Sequence, residues 1–277
     1  MRCKVAILSL VVTFSIQAAP SEQLLDDAFA DLYNFNFPAA HATIDREVAA
    51  HPNDPMPYAV RSAAYLFSEL DRLGILESEF LVDDTRIVEK KDPPQPDPAT
   101  RVKFLRAVTD AQSRAQTVLA KDPNDKMALF AMSITEGVAT DYMALVEKHQ
   151  ISSLKPAKKS NAYAQRLLKL DPKFYDAYLT AGFSEYLVGS LPFFIRWFVH
   201  FDNVSGSKEE GVRNLQLVAS AGHYLKPFAK ILLGIAALRD KHPRDAQKLL
   251  AELSRNYPQN PLFRKELGKL NEKYGAD

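Results

Sequence analysis

From residue 20 onward, apolar side chains recur at i, i+3, i+4 and i+7, and strict apolar–polar alternation is rare. That period predicts helices rather than strands. The clearest stretch runs from Pro227 to Pro261. Ile231, Leu232, Ile235 and Leu238 make one helical stripe, and Leu249, Leu250 and Leu253 make a second. Between them, His242-Pro243-Arg244-Asp245 ends one helix and opens the next, because proline breaks a helix interior but suits a first turn. Asn256-Tyr257-Pro258 closes the pair. The pattern predicts two antiparallel helices, with the small residues Gly234 and Ala246 where they approach.

The same punctuation recurs upstream as His51-Pro52-Asn53-Asp54, Asp122-Pro123-Asn124-Asp125 and Asp171-Pro172-Lys173-Phe174. Each follows one amphipathic run and precedes another; proline bars continuation, and Asn or Asp supplies the next N-cap. In phase with these turns, the first helix of each pair carries a small residue: Ala28, Ser62, Ser133, Gly182 and Gly234. A large residue stands four places earlier at Leu24, Tyr58, Leu129 and Tyr178; in the last pair it is Lys230, with Ile231 taking over the packing. The matching small position on the second helix is Ala40, Ala111, Ser160, Val212 (with Gly211 beside it) and Ala246.

Large-then-small on helix A, a small residue on helix B and a closing proline resemble a tetratricopeptide repeat. The expected fold is therefore all-α, a tetratricopeptide-like α-solenoid of about five helical hairpins. The units cover about 21–54, 55–125, 126–174, 175–226 and 227–260. Leu262, Phe263, Leu267 and Leu270 form a single apolar stripe among charges, which suits a capping helix over 261–277. The middle three units carry about 37, 15 and 18 extra residues between helix A and helix B. Insertions at one point of successive repeats either project from one edge, where partners bind, or lengthen and buttress the helices.

The first insertion contains Asp92-Pro93-Pro94-Gln95-Pro96-Asp97-Pro98, expected as an extended surface loop. The second runs from Glu147 to Lys159, with Pro156 expected as the first residue of a helix B. The third, Leu191 to Phe201, has five aromatics in nine residues and includes the only tryptophan. It reads either as core folded over the stack or as an exposed aromatic patch. Ser207 should then cap a helix with Glu209 and Glu210 in its first turn.

Composition fits a globular chain: 277 residues, 47% hydrophobic and 25% charged. The formal net charge of +1 makes no electrostatic case for nucleic acid or an anionic membrane. Arg2 and Lys4, the apolar run Val5 to Ile16 and the small residues Ala18 and Ala19 read as a secretory signal peptide over 1–19, cut after Ala18 or Ala19. The apolar run is too short to span a bilayer. Cys3 is the only cysteine, so the mature chain could form no disulfide or cysteine-based metal site.

Motifs for chemistry are missing. His41, His51, His149, His200, His223 and His242 show no metal-ligand spacing, and no His-Glu-x-x-His, phosphate loop or nucleophile elbow occurs. No catalytic, cofactor-binding or metal-binding residue is expected. Helix A lines the inner face of such a stack, and by phase that face includes Phe29, Leu32, Tyr33, Tyr65, Glu69, Phe130, Glu136, Phe183 and Tyr186. From these, Tyr33, Tyr65, Glu69, Glu136 and Tyr186 are candidates for holding a partner. Phe193, Phe194, Arg196, Trp197 and Phe198 join them from the third insertion.

Residues 189–263, with SLPFFIRWF, SKEEGVRNLQLVASAGHYLKPFAKILLGIAAL and ELSRNYPQNPLF, resemble a group of secreted bacterial tetratricopeptide proteins without an assigned activity. They are more distantly similar to the Iml2-type repeat proteins of eukaryotes. The resemblance implies a helical-repeat scaffold of a Gram-negative-type bacterium and transfers no catalytic residue. The expected function is an exported, non-enzymatic scaffold that binds a protein or peptide at the cell envelope, without nucleic acid. A membrane-peripheral module resting on 193–201 is the alternative; a helical-repeat hydrolase is a third reading that lacks any residue constellation.

Overall fold

The computed structural model describes residues 20–77, 95–190 and 206–275. Among them are eleven α-helices and no strand. They are α1 (Pro20–Tyr33), α2 (Phe37–Ala50), α3 (Pro55–Arg72), α4 (Pro98–Lys121), α5 (Lys126–Asp141), α6 (Gln150–Leu170), α7 (Tyr178–Ser190), α8 (Lys208–Ala221), α9 (Lys226–Arg239), α10 (Pro243–Asn256) and α11 (Pro261–Tyr274). Each packs on the next in chain order, and α3 also packs on α5. The result is an α-solenoid of five hairpins closed by α11.

Local chemistry sets the boundaries. Proline occupies the first turn of α2, α3, α4, α9, α10 and α11. Asp54, Asp97, Asp125, Ser207 and Asn260 accept backbone N–H bonds from the helices they open, satisfying donors that have no partner inside the helix. Two of the phased turns share a further device. Asp122 accepts from Asn124 N and Asp171 from Lys173 N, at 2.9 and 3.0 Å, so each Asp folds its own turn.

The small-residue positions work differently from hairpin to hairpin. Ala28, Ala40, Ser62 and Ala111 are buried at the first two helix contacts. At α5–α6 the pair is Ser133 and Ser160, both buried. At α7–α8 it is Gly182 and Gly211: a Cβ on Gly211 would sit 2.5 Å from Tyr186 N, and one on Gly182 would sit 2.8 Å from Asn214 Cβ. Gly211, not Val212, therefore fills the helix B position. Gly234 departs from expectation, because a Cβ there would meet nothing within 4 Å. Its helix does not need a glycine for close approach.

The second insertion adds length to helices rather than a loop. Tyr142–Val146 continue α5 as a π-helical turn, and α6 already begins at Gln150. Pro156 is thus inside α6 and not at its start. The first turn forms ahead of it because Ser153 is buried and its hydroxyl bonds the Gln150 carbonyl at 2.7 Å. Of the first insertion, Gln95 to Asp97 are irregular chain leading into α4. The third insertion, including the aromatic run, lies outside the described residues, as do residues 1–19, where a signal peptide is expected.

The stack curls until its ends meet. Tyr33 on α1 donates its hydroxyl to the Tyr224 carbonyl at 2.9 Å, and Asn260 Nδ2 donates to the Tyr33 carbonyl at 2.8 Å. Gln259 N donates to Asn34 Oδ1 at 3.2 Å, and His223 Nε2 lies 2.8 Å from Asp26 Oδ1. One step along, Phe67 of α3 meets Phe228 of α9 edge to face at 5.5 Å, and Glu77 pairs with Lys265 and Lys269 of α11. The first two hairpins are therefore bound to the last two, and the array is a closed ring rather than an open arc.

Candidate functional site

The inner face is where a helical-repeat stack usually has room for a partner, and here the chain's own aromatics fill it. Phe29 stacks on Tyr224 at 4.9 Å, Phe130 packs on Phe174 at 4.9 Å and faces Tyr224 at 6.3 Å, and Tyr33 leans on Tyr257 at 5.3 Å. With Leu25, Leu32, Ile44, Met56 and Leu129, all of these rings but Tyr257 form one continuous core spanning the first unit to the fourth. Burial pushes the Tyr33 phenol well above its ordinary pKa, so it stays a neutral donor to the Tyr224 carbonyl.

The carboxylates on this face brace backbone. Glu69 is buried; it accepts the Asp97 N–H at 2.8 Å and a two-point bond from Arg72, whose guanidinium also donates to the Gln95 carbonyl. Burial alone would raise its pKa, but the Arg72 and Asp97 bonds and the Arg72 charge outweigh it and hold Glu69 below the usual carboxylate value. Glu185 does the same after the third insertion, accepting Ser207 N at 2.9 Å. Asp176 is buried and takes the N–H groups of His223, Tyr224 and Leu225. Each of the three carboxylates fixes a connection that carries no regular structure of its own.

Each of the five helix-borne candidates makes a contact within the chain. Tyr33 clasps the ring, Glu69 anchors the first insertion, and Tyr186 is buried against α8 beside Gly211. Glu136 is buried between Gln112 and Lys159, and its pKa is raised by desolvation. Tyr65 is partly buried and its ring lies 4.4 Å from His41. Burial and the Arg61 charge lower the pKa of His41. Phe193, Phe194, Arg196, Trp197 and Phe198 lie outside the described residues. Sequence reasoning missed Asp176, Tyr224 and Asn260. A lone acid in the apolar run Phe174 to Leu179 is the one signal that could have flagged Asp176 as a buried acceptor.

Little else among the described residues resembles a small-molecule site. A cavity of about 180 Å³ lies between the end of α3 and the start of α11, lined by Gly74, Leu76, Glu77, Pro261 and Lys265. That is below the size of a typical ligand pocket. No cluster of three metal-ligating side chains occurs among the described residues. Lys126–Val146 is long and apolar enough to cross a membrane, but Leu129, Phe130 and Met132 place it in the core of the stack.

The hairpin packing defines the class: a tetratricopeptide-like α-solenoid. Among solved structures, a thermophilic tetratricopeptide protein of Thermus thermophilus aligns with 90% of this chain and 98% of its own, at 13% identity and a TM-score of 0.48. No protein-family model matches the chain, and no curated protein matches it.

Proposed function

We propose that this chain is an exported, non-enzymatic scaffold that holds a protein or peptide partner at a bacterial cell envelope, using its outward faces and the inserted edge rather than its inner face. One observation carries the reading: the ring is closed by its own side chains, with Tyr33, Tyr224 and Asn260 locked together. A rigid frame of this kind presents fixed outer surfaces at low ordering cost. Export rests on the leader-like residues 1–19, and the bacterial context on the resemblance of residues 189–263 to secreted repeat proteins. Both supports come from sequence.

Two measurements test this. N-terminal sequencing of the protein from fractionated cells should find a chain starting at Ala19 or Pro20 in the envelope fraction; an intact Met1 in the cytoplasm would remove export. A photo-crosslinking side chain placed at the exposed Lys248 on α10 should capture a discrete protein, while one at Phe29 inside should capture none. Equal labelling from both positions would mean that the ring opens to receive its partner.

A further inference from the structure

The chain's near-zero net charge conceals a strong local imbalance. Helices α4 and α6, the second helices of the second and third hairpins, carry ten Lys and Arg side chains against a single Asp. Helix α1, on the inside of the ring, has four acids and no base. Charge is thus uneven from helix to helix, which the whole-chain total of +1 does not reveal.

The basic face also exposes large apolar side chains. Val102 and Leu105 on α4 are 66% and 39% exposed, and Ile151 at the start of α6 is 86% exposed. The start of α4 and the turn before α6 are joined: Arg101, beside Val102, donates to Glu147 at 2.7 Å, four residues before Ile151. The opposite sides of both helices are committed to the core through Phe104, Ala107 and Ala111 on α4, and Ser153, Ser160 and Ala164 on α6. Among the described residues, neither Val102 nor Ile151 belongs to a core cluster. Around them Lys103, Arg106, Lys155 and Lys159 are exposed, Arg106 facing Asp110 and Lys159 reaching back to Glu136.

From this we infer that the α4–α6 face is a peripheral binding surface for an anionic lipid bilayer. The cations attract the charged headgroups, and Val102, Leu105 and Ile151 enter the interfacial layer. A lipid surface is favoured over an acidic peptide because the apolar residues stand out on an outer face. A peptide would need a groove, and the cavity described above is elsewhere, between α3 and α11. This inference goes beyond the scaffold reading and does not depend on it. Its failure would leave the partner experiments untouched.

The test is co-sedimentation of the purified chain with phosphatidylcholine vesicles, with and without phosphatidylglycerol. Binding is expected only to the anionic vesicles and should weaken as salt is raised. Lys103→Glu with Lys155→Glu should lower partitioning by about tenfold or more, the scale of two basic contacts. Val102→Ser with Ile151→Ser should lower it with the charges intact, and Lys248→Glu on α10 should leave it unchanged. Far-ultraviolet circular dichroism confirms that each variant is folded. No binding of the unaltered chain to anionic vesicles overturns the inference, as does binding that survives the Lys103/Lys155 reversal. If the chain ignores vesicles yet binds polyglutamate in a manner lost on that reversal, the face is a protein surface and the lipid inference is wrong.

Discussion

Ser133 and Ser160 bond each other's main chain across the α5–α6 hairpin: Ser160 Oγ donates to the Ser133 carbonyl at 2.7 Å, and Ser133 Oγ donates to the Ser160 carbonyl at 3.2 Å. The reciprocal pair lets two buried hydroxyls satisfy themselves where other repeats place alanine. Each carbonyl already serves its own helix, so the bonds are additions rather than replacements. Ser133→Ala and Ser160→Ala should each cost about 1 kcal/mol in urea unfolding. The two effects should be less than additive in the double variant, since each single change disturbs the same contact.

The glycines at the helix contacts should respond in opposite directions. Gly234→Ala meets no neighbour within 4 Å and should stabilise the protein by about 0.5–1 kcal/mol through helix propensity alone. Gly211→Ala would push a methyl against Tyr186 N at 2.5 Å and separate α7 from α8. A loss of about 1–3 kcal/mol in thermal or urea unfolding is expected there.

Ring closure can be tested at Tyr33 and Tyr224. Tyr33→Phe removes the hydroxyl bond to the Tyr224 carbonyl and should cost about 1 kcal/mol. Tyr224→Ala removes a buried ring that packs on Phe29 and Phe130 and should cost about 3–5 kcal/mol. If the clasp holds the ends together, small-angle scattering should show a larger radius of gyration for Asn260→Ala with Tyr33→Phe than for the unaltered chain. An unchanged radius would show that the contacts of Phe67 with α9 and of Glu77 with α11 suffice.

Two acids should pull the pH profile in opposite directions. Glu69, held below its ordinary value, contributes stability above the unfolded carboxylate pKa; that contribution is lost as pH falls through its folded value. Asp141 at the end of α5 is raised from 3.8 to about 7 by desolvation. It therefore costs nothing below the unfolded value, and its penalty grows as pH rises from 3.8 to about 7. Asp141→Asn should leave stability unchanged near pH 4 and raise it by about 1–2 kcal/mol near pH 8, less than the full shift because the side chain retains some water. Glu69→Gln should destabilise at neutral pH and converge with the unaltered chain in acid.

The hairpins were legible because their signals are local: a proline turn, a capping acid and a small residue recurring in phase. Gly182, Ser133 and Ser160 were placed correctly as helix-contact positions by counting alone. The ring was not legible. Tyr33 and Tyr224 are separated by most of the chain, and no period links them; an aromatic on helix A looks the same whether it awaits a partner or touches its own distant end. The candidates Glu69, Glu136 and Tyr186 read as inner-face residues, but what occupies them does not show in the pattern: Glu69 takes a backbone amide from an insertion without a repeat, and Glu136 and Tyr186 meet residues of the second helices, Gln112, Lys159 and Gly211. Pro156 misled for a related reason: proline favours a first turn, but a buried Ser153 let the helix start earlier.

The contacts between Tyr33, Tyr224 and Asn260 also bear on how the chain acquires its shape. An open row of repeats can form hairpin by hairpin as it is synthesised, each new unit capping the previous one. Here α1 is made first, yet the residues that cover Phe29 and Tyr33 come near the end of the chain. Until they arrive, the first hairpin shows a greasy, acid-flanked surface to its surroundings, so the nascent protein has a prolonged window of vulnerability to aggregation or proteolysis that closes only with the last two hairpins.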